Sequence, residues 1–410
     1  MRRVVISGIG AVTPIGNNVP DMWQSIKDGK CGIAPITLYD TTNQKVKLAA
    51  EVKDFKPEEV YEKKELRRMD RFTQFAVVAA HEAMLDSQID LEETDRERFG
   101  VLVASGIGGL NAIQNENNKG MTKGYDRVVP YFIPMSISNI AAGQIAIRYG
   151  LNGMCSCVVT ACAGGTNAIG DAYRHIKDGY ADLMLCGGTE ACITNLGVGG
   201  FTSMQALCCS EDPNRASIPF DKERSGFVLG EGAGMLVLEE YEHAKKRGAK
   251  IYCEVSGYGV NCDAHHITAP REDAEMASKC FQMALKDAGI EPEKIDYINA
   301  HGTSTKLNDR CETKAIKNVF GEHAYKMAVS STKSMTGHMI AGTGAVEAII
   351  TALAVQNDYI PATINYQVPD EECDLDIVPN KGREAKVDYA LSNSLGFGGH
   401  NACVILNKIQ

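Results

Sequence analysis

Apolar positions along this chain switch repeatedly between continuous runs and helical spacing. Residues 4–12 (VVISGIGAV) form an apolar run broken by a glycine turn, which predicts a first strand. Phe72, Phe75, Ala76, Ala79, Ala80 and Ala83 then recur at helical spacing, followed by a strand-like run at 100–104 and the loop SGIGG. Residues 155–160 are short, apolar and rich in β-branched and Cys residues, and predict a buried strand. From Thr166 the spacing turns helical again, through Ile169, Ala172, Tyr173 and Ile176. Residues 181–189 and 235–239, either side of a long excursion and GEGAG, predict two more strands. The same order then returns. Residues 254–260 (EVSGYGV) match the first strand, and Met276, Cys280, Met283 and Ala284 match the first helix. A strand at 297–300 ends in HGTST, residues 330–355 match the turn and helix after residue 160, and 389–393 turn through GFGGHN into 402–406. A duplication explains every match at once. It predicts two halves, 1–250 and 251–410, in an α/β protein with central sheets covered by helices. Segments 202–224 and 115–126 are expected as loops around an entrance.

Composition narrows the class. With 44% hydrophobic and 23% charged residues the chain has ample core for an ordinary globular protein. A net charge of −10 argues against general nucleic-acid binding. No apolar run is long enough to span a membrane, and Gly8, Gly10 and Pro14 interrupt the N-terminal run too early for a signal peptide. Fourteen cysteines without a regular framework point to reduced thiols in a cytoplasm.

The chemistry gathers at the glycine turns. Cys162 sits in the turn between the strand at 155–160 and the helix after it, among Ala161, Ala163, Gly164 and Gly165. A sulfur at a helix N-terminus is expected to favour thiolate, from a free-thiol pKa of about 8.5. His301 in HGTST, His338 in KSMTGH and Phe397 in GFGGHN lie at repeat-equivalent strand ends, where α/β sheets gather their ligand sites. One nucleophile and two imidazoles are therefore predicted to converge. Neither histidine belongs to HExxH, and the cysteine spacings fit no zinc site, so no metal is predicted. GIGAVT lacks the third glycine of a dinucleotide loop, and no cofactor is predicted. Lys333 is either a catalytic ammonium or an ion-pair partner. The cost of burying a lysine without a carboxylate favours the pair.

TACAGGTNAIG, HGTST, KSMTGH and GFGGHN, in this order, resemble the β-ketoacyl-[acyl-carrier-protein] synthases of the thiolase fold. The likeness runs the length of the chain, and GFGGHN with Ile107 in SGIGG is closer to synthase II than to synthase I. It implies a thiolase-like fold of duplicated βαβαβ halves in α/β/α/β/α layers, and an acyltransferase of fatty acid elongation. It implies that Cys162 carries the acyl group as a thioester. His301 and His338 would hydrogen-bond the malonyl thioester carbonyl, and the N–H groups of Cys162 and Phe397 would form the oxyanion hole. Lys333, with Glu347, Asp309 and Glu312, would hold the histidine loops. Substrate contacts are expected at Ile107, Phe201, Thr268, Thr303, Thr305 and Gly398, with Thr303 and Thr305 on the carrier's pantetheine arm. The implied partners are an acyl carrier protein and a second copy of the chain in a homodimer. The locally basic stretch EKKELRRMDR is a solvated helix face or a docking site for an acidic carrier, through Lys63, Lys64, Arg67, Arg68 and Arg71. Departures from the family pattern fall at Gly164, Asn167, Lys306, Ile218 and Ser225.

Rival readings are a ketosynthase of a polyketide or specialised lipid pathway and, in a different class, a non-catalytic chain-length factor. The second should lack the nucleophile that is present here. A thiolase would need a second catalytic cysteine, and Cys403 lies in a strand-like run instead.

Overall fold

A computed structural model describes residues 2–409. Ten strands form one sheet: β1 Val4–Val12, β2 Phe99–Ala104, β3 Cys155–Val158, β4 Leu183–Glu190, β5 Gly232–Glu240, β6 Cys253–Cys262, β7 Tyr297–Asn299, β8 Ala328–Ser330, β9 Tyr389–Gly396 and β10 His400–Asn407. Their spatial order is β8-β7-β9-β10-β6-β1-β5-β4-β2-β3. From each outer edge inward, this is the third, second, fourth, fifth and first strand of a set of five. Pairing directions repeat as well. β2 runs parallel to β3 and β4, as β7 does to β8 and β9, and the other pairs within each set are antiparallel. The two sets meet where Val4, Val5 and Ile6 pair with Val255, Glu254 and Cys253.

Seven helices matter here: α1 Arg71–Ser87, α2 Leu110–Lys123, α3 Gly164–Lys177, α4 Asn195–Ser203, α5 Glu275–Ala288, α6 Lys306–Phe320 and α7 Ala341–Asn357. α1 covers β1, β4 and β5 from outside, while α5 covers β6 and β10 and carries α6 on its flank. Between the two sets lie α3 and α7, each touching strands of both. The result is five layers, α/β/α/β/α. Apart from Glu347, α7 is apolar or small from Ala341 to Val355, and each of those residues is buried, as a helix without a solvent-facing polar side must be. Its approach to α3 depends on Gly165, where an added Cβ would lie 2.6 Å from the Ala341 carbonyl oxygen.

Two local expectations change and a third holds in part. Residues 155–160 are not a buried strand: β3 stops at Val158 and forms an outer edge, with Cys155 and Ser156 exposed. Segment 115–126 is largely the helix α2 rather than a loop, with Leu110, Ala112 and Gly120 as its buried residues. Segment 202–224 does reach the cavity, through Met204, Gln205 and Ala206. It then turns inward, burying Ile218 and Phe220 and pairing the buried Arg224 with Asp309 at 3.5 Å.

Candidate active site

The layers place the turns after β3, β6, β7, β8 and β9 around one cavity of about 660 Å³. Cys162 stands in a single 3-10 turn, Ala161–Ala163, directly before α3. Ala161 adopts φ +47°, a left-handed conformation that suits few L-residues and that forces the chain to reverse tightly at the nucleophile. The turn after β9 presses onto it: a Cβ on Gly396 would lie 3.3 Å from the Cys162 nitrogen. The backbone N–H groups of Phe397 and of Cys162 itself face the sulfur.

His301 follows β7, and Glu312 of α6 fixes its loop. Glu312 accepts the N–H groups of His301 at 2.6 Å and Gly302 at 2.7 Å, and the Asn393 amide at 2.8 Å. His338 lies between Phe227 and His301, with edge-to-face ring contacts at 5.2 and 5.4 Å between centroids. Its Nδ1 lies 3.1 Å from Thr343 Oγ1. Cys162, His301 and His338 all line the cavity. Lys333 pairs with Glu347 at 2.6 Å, both 1% exposed. This is the ion-pair alternative for Lys333. Asp309 does not grip a histidine loop. It accepts the Phe220 N–H at 2.9 Å and pairs with Arg224.

Burial dominates the electrostatics. It pulls both imidazoles well below the ordinary histidine value, and the Lys333 ammonium pulls them the same way. It raises the Glu347 carboxyl to about 7 against the pull of Lys333. It also overturns the expectation for the nucleophile. The Cys162 thiol is pushed up to about 12, because the cost of burying a thiolate outweighs Lys333 and the two N–H groups. The resting residue is a thiol, not a thiolate.

Phe201, Thr268, Thr303, Thr305 and Phe397 line the cavity. Ile107 and Gly398 do not. Ile107 packs, with Phe201, on the apolar cluster that contains Cys162, and Gly398 donates its N–H to the Ile267 carbonyl at 2.8 Å. Lys63, Lys64, Arg67 and Arg68 are exposed, at and just after a one-turn helix, Lys63–Leu66, outside the cavity wall. Arg71 is not available as a docking residue. It pairs with Glu231 at 2.6 Å and lies over the Phe75 ring at 4.7 Å. Lys306 and Ser225 are in the cavity wall, and Asn167 is buried, joining Thr160 to Tyr258. Among the described residues no three or more His, Cys, Asp and Glu side chains are arranged for a metal. Asn299 Oδ1, Asn393 Oδ1 and Glu347 Oε2, in the network beside Lys333, are buried without a hydrogen-bond partner among the described residues. Sequence reasoning missed Phe227, Ile340, Thr343, Asn393 and Glu190. For Glu190 a signal existed, an acid closing the otherwise apolar and small run LMLCGGTE.

Comparison with known proteins settles the family. Residues 1–244 match the model of the beta-ketoacyl synthase N-terminal domain, and residues 252–367 match that of the C-terminal domain. The chain belongs to the beta-ketoacyl synthase family. It is 52% identical over 410 residues to the 3-oxoacyl-[acyl-carrier-protein] synthase 2 of Synechocystis sp., covering 100% of this chain and 99% of that one. It is 50% identical over 409 residues to the protein of the same name in Coxiella burnetii, with the same coverage. Among solved structures, it superposes with a TM-score of 0.93 and 37% identity on a chain from a type II polyketide acyl-carrier protein in complex with its ketosynthase bound to the hexaketide. All of both chains is covered. A beta-ketoacyl synthase from Burkholderia phymatum superposes with a TM-score of 0.92 at 33% identity, again over all of both chains. The five layers of this synthase are thus the thiolase-like ketosynthase fold.

Proposed function

We propose that this acyltransferase performs the decarboxylative Claisen condensation of fatty acid elongation, joining an acyl group held on Cys162 to malonyl-[acyl-carrier-protein]. The observation that carries the reading is the convergence of Cys162, His301 and His338 on one cavity, with the Phe397 N–H on the sulfur. In the first step Cys162 sulfur attacks the thioester carbon of the acyl carrier. The carbon–sulfur bond to pantetheine breaks, and the thiol proton ends on the pantetheine sulfur. Because the resting residue is a thiol, negative charge develops only as the bond forms, against the N–H groups of Cys162 and Phe397. In the second step His301 and His338 donate to the malonyl thioester oxygen, CO2 leaves, and the electron pair stays as an enolate. The enolate carbon attacks the acyl carbon, the bond to Cys162 breaks, and the thiolate regains a proton from solvent. Neutral imidazoles suit this step, since loss of CO2 creates the carbanion without a base.

The half at 1–250 supplies the nucleophile and the half at 251–410 the two histidines. Thr303 and Thr305 meet the pantetheine arm, Thr268 contacts the substrate in the same cavity, and Ile107 and Phe201 border the acyl tunnel. Lys63, Lys64, Arg67 and Arg68 dock the acidic carrier. The enzyme is a homodimer that pairs through β3, whose exposed edge and the exposed Met154 and Val159 support that contact. It works in a cytoplasm, which its fourteen free cysteines favour. Among the described residues no helix is long and apolar enough to cross a membrane. A polyketide ketosynthase is the second reading, and the superposition on such a chain favours it. Identity of 52% to a 3-oxoacyl-[acyl-carrier-protein] synthase 2 against 37% to that ketosynthase weighs the other way. A non-catalytic chain-length factor does not fit the retained Cys162 and histidines. The test is incubation with saturated acyl carriers of graded length plus malonyl carrier, with products identified by mass. The expected product is the 3-oxoacyl carrier, lost in Cys162→Ala. Transfer without a condensed product refutes the reading.

A further inference from the structure

Glu190 closes β4 fully buried, and the mechanism above does not use it. Its Oε2 accepts the Gly106 N–H at 2.7 Å. Its Oε1 accepts the Ser105 hydroxyl at 3.0 Å and the Ile107 N–H at 3.3 Å. Ser105 Oγ in turn accepts the Gly108 N–H at 3.0 Å. The loop between β2 and α2 therefore hangs, residue by residue, from one side chain. The Ala341 N–H also points at this carboxylate, from the first residue of α7 and three residues past His338. The contact is close packed, for a Cβ on Gly106 would lie 2.9 Å from Glu190 Oε2 and 3.2 Å from Ile340 Cγ2. Ile340 itself is held at φ +48°, a strained conformation for a β-branched residue that persists only where its surroundings impose it.

A carboxylate buried without a cation is a poor way to stabilise a core, since an apolar side chain of similar size would avoid the desolvation cost. Among the described residues no Lys, Arg or His is paired with Glu190, and burial raises its carboxyl to about 7. What the carboxylate alone provides is several convergent acceptor positions for N–H groups from two separate loops. One of those loops carries Ile107, packed on the apolar cluster of Cys162, Val198 and Ile340. We propose that Glu190 is a positioning residue for acyl-chain selection. By clamping loop 105–108 to the start of α7 it holds Ile107 against the Cys162 cluster, and so sets how readily a long acyl chain displaces that side chain. The inference rests on the reading of Ile107 as a tunnel residue.

The experiment compares full-length wild type with Glu190→Gln, Ser105→Ala and Ile107→Phe, each checked for folding by thermal unfolding. The readout is the ratio of initial Cys162 acylation rates, long against short saturated acyl carrier, by intact mass. Glu190→Gln turns one acceptor into an N–H donor facing other donors. Ser105→Ala removes one bond and leaves the carboxylate in place. Loss of one charged hydrogen bond shifts a local equilibrium by about tenfold or more. The long-to-short ratio should therefore rise about tenfold in Glu190→Gln, less in Ser105→Ala, and fall in Ile107→Phe. A folded Glu190→Gln whose ratio is unchanged or lowered, beside an Ile107→Phe that lowers it, overturns the Glu190 assignment alone. If Glu190→Gln does not fold, Ser105→Ala is judged by the same criterion. An unchanged ratio in Ile107→Phe overturns the tunnel reading, and this assignment with it.

Discussion

Removing the His338 ring by substitution with alanine separates the two half-reactions. The ring is buried between Phe227 and His301, and its Nδ1 lies 3.1 Å from Thr343 Oγ1. If the Thr343 hydroxyl donates to Nδ1, the ring proton sits on Nε2, the nitrogen left to face the cavity. One donor lost from a developing oxyanion costs about 2.7–4 kcal/mol, roughly a hundred- to a thousand-fold in rate. CO2 release from malonyl carrier by His338→Ala should fall by that factor. Acyl transfer to Cys162 uses the backbone N–H groups of Cys162 and Phe397, so it should fall far less. His338→Asn restores one donor and should recover part of the loss. Thr343→Val, which keeps the shape and removes the hydroxyl, should slow decarboxylation by about tenfold, as for one lost hydrogen bond of about 1–1.5 kcal/mol. The assay measures intact mass for acylation and CO2 release for decarboxylation on the same preparations. A His338→Ala enzyme that releases CO2 normally but fails to acylate would refute these roles and make His338 the base that takes the thiol proton.

Lys333→Met strands the Glu347 carboxyl in a site where both groups are 1% exposed. It should cost about 3–5 kcal/mol in chemical denaturation, with much of that recovered when Glu347→Gln is added. An unchanged stability in Lys333→Met would count against the pair. Iodoacetamide at neutral pH should label the exposed Cys209 and Cys262 before Cys162, whose thiol stays protonated up to about 12. Peptide mapping that finds Cys162 labelled first contradicts that. Sedimentation at micromolar concentration should show a dimer, with Cys157→Pro shifting it toward monomer by removing an N–H from the outer edge of β3; a wild-type monomer would end the proposal.

The architecture was legible because the signals were local and occurred twice. Strand, glycine turn and helix in two matching series foretold the two five-stranded sets, and the repeat brought His301 and His338 to the same end as Cys162. What escaped notice was set by distance along the chain. Arg71 looks like part of a basic helix face until Glu231, 160 residues away, pairs with it. Residues 155–160 are apolar enough for a buried strand, and nothing local tells an inner strand from the outer edge that β3 occupies. Glu190 reads as the polar end of a strand, since its donors Gly106 and Ile107 come from more than eighty residues earlier. The Cys162 thiol was misjudged for another reason. A helix N-terminus is visible in sequence and favours thiolate, whereas the depth of burial that outweighs it exists only after the layers close.

That burial moves the nucleophile and the imidazoles in opposite senses, and a single opening of the site should show it. Desolvation disfavours whichever form is charged, so it holds Cys162 as a thiol and both histidines neutral. The Lys333 ammonium acts differently, lowering all three groups together. Phe397→Ala, which removes the half-buried ring at the cavity wall, should admit water. The Cys162 titration should then move down from about 12 while both histidines move up toward their ordinary value of about 6.5. Lys333→Met should instead move all three upward. Functionally, the acid limb of decarboxylation in wild type lies well below the ordinary histidine range, because protonation of either imidazole removes the neutral donor. It should rise toward pH 6.5 in both variants, since each raises the histidines. The pH dependence of Cys162 alkylation and the imidazole proton shifts by NMR give the two directions separately. Should Phe397→Ala raise the thiol and the imidazoles together, desolvation is not what governs the site, and the protonated resting cysteine loses its physical basis.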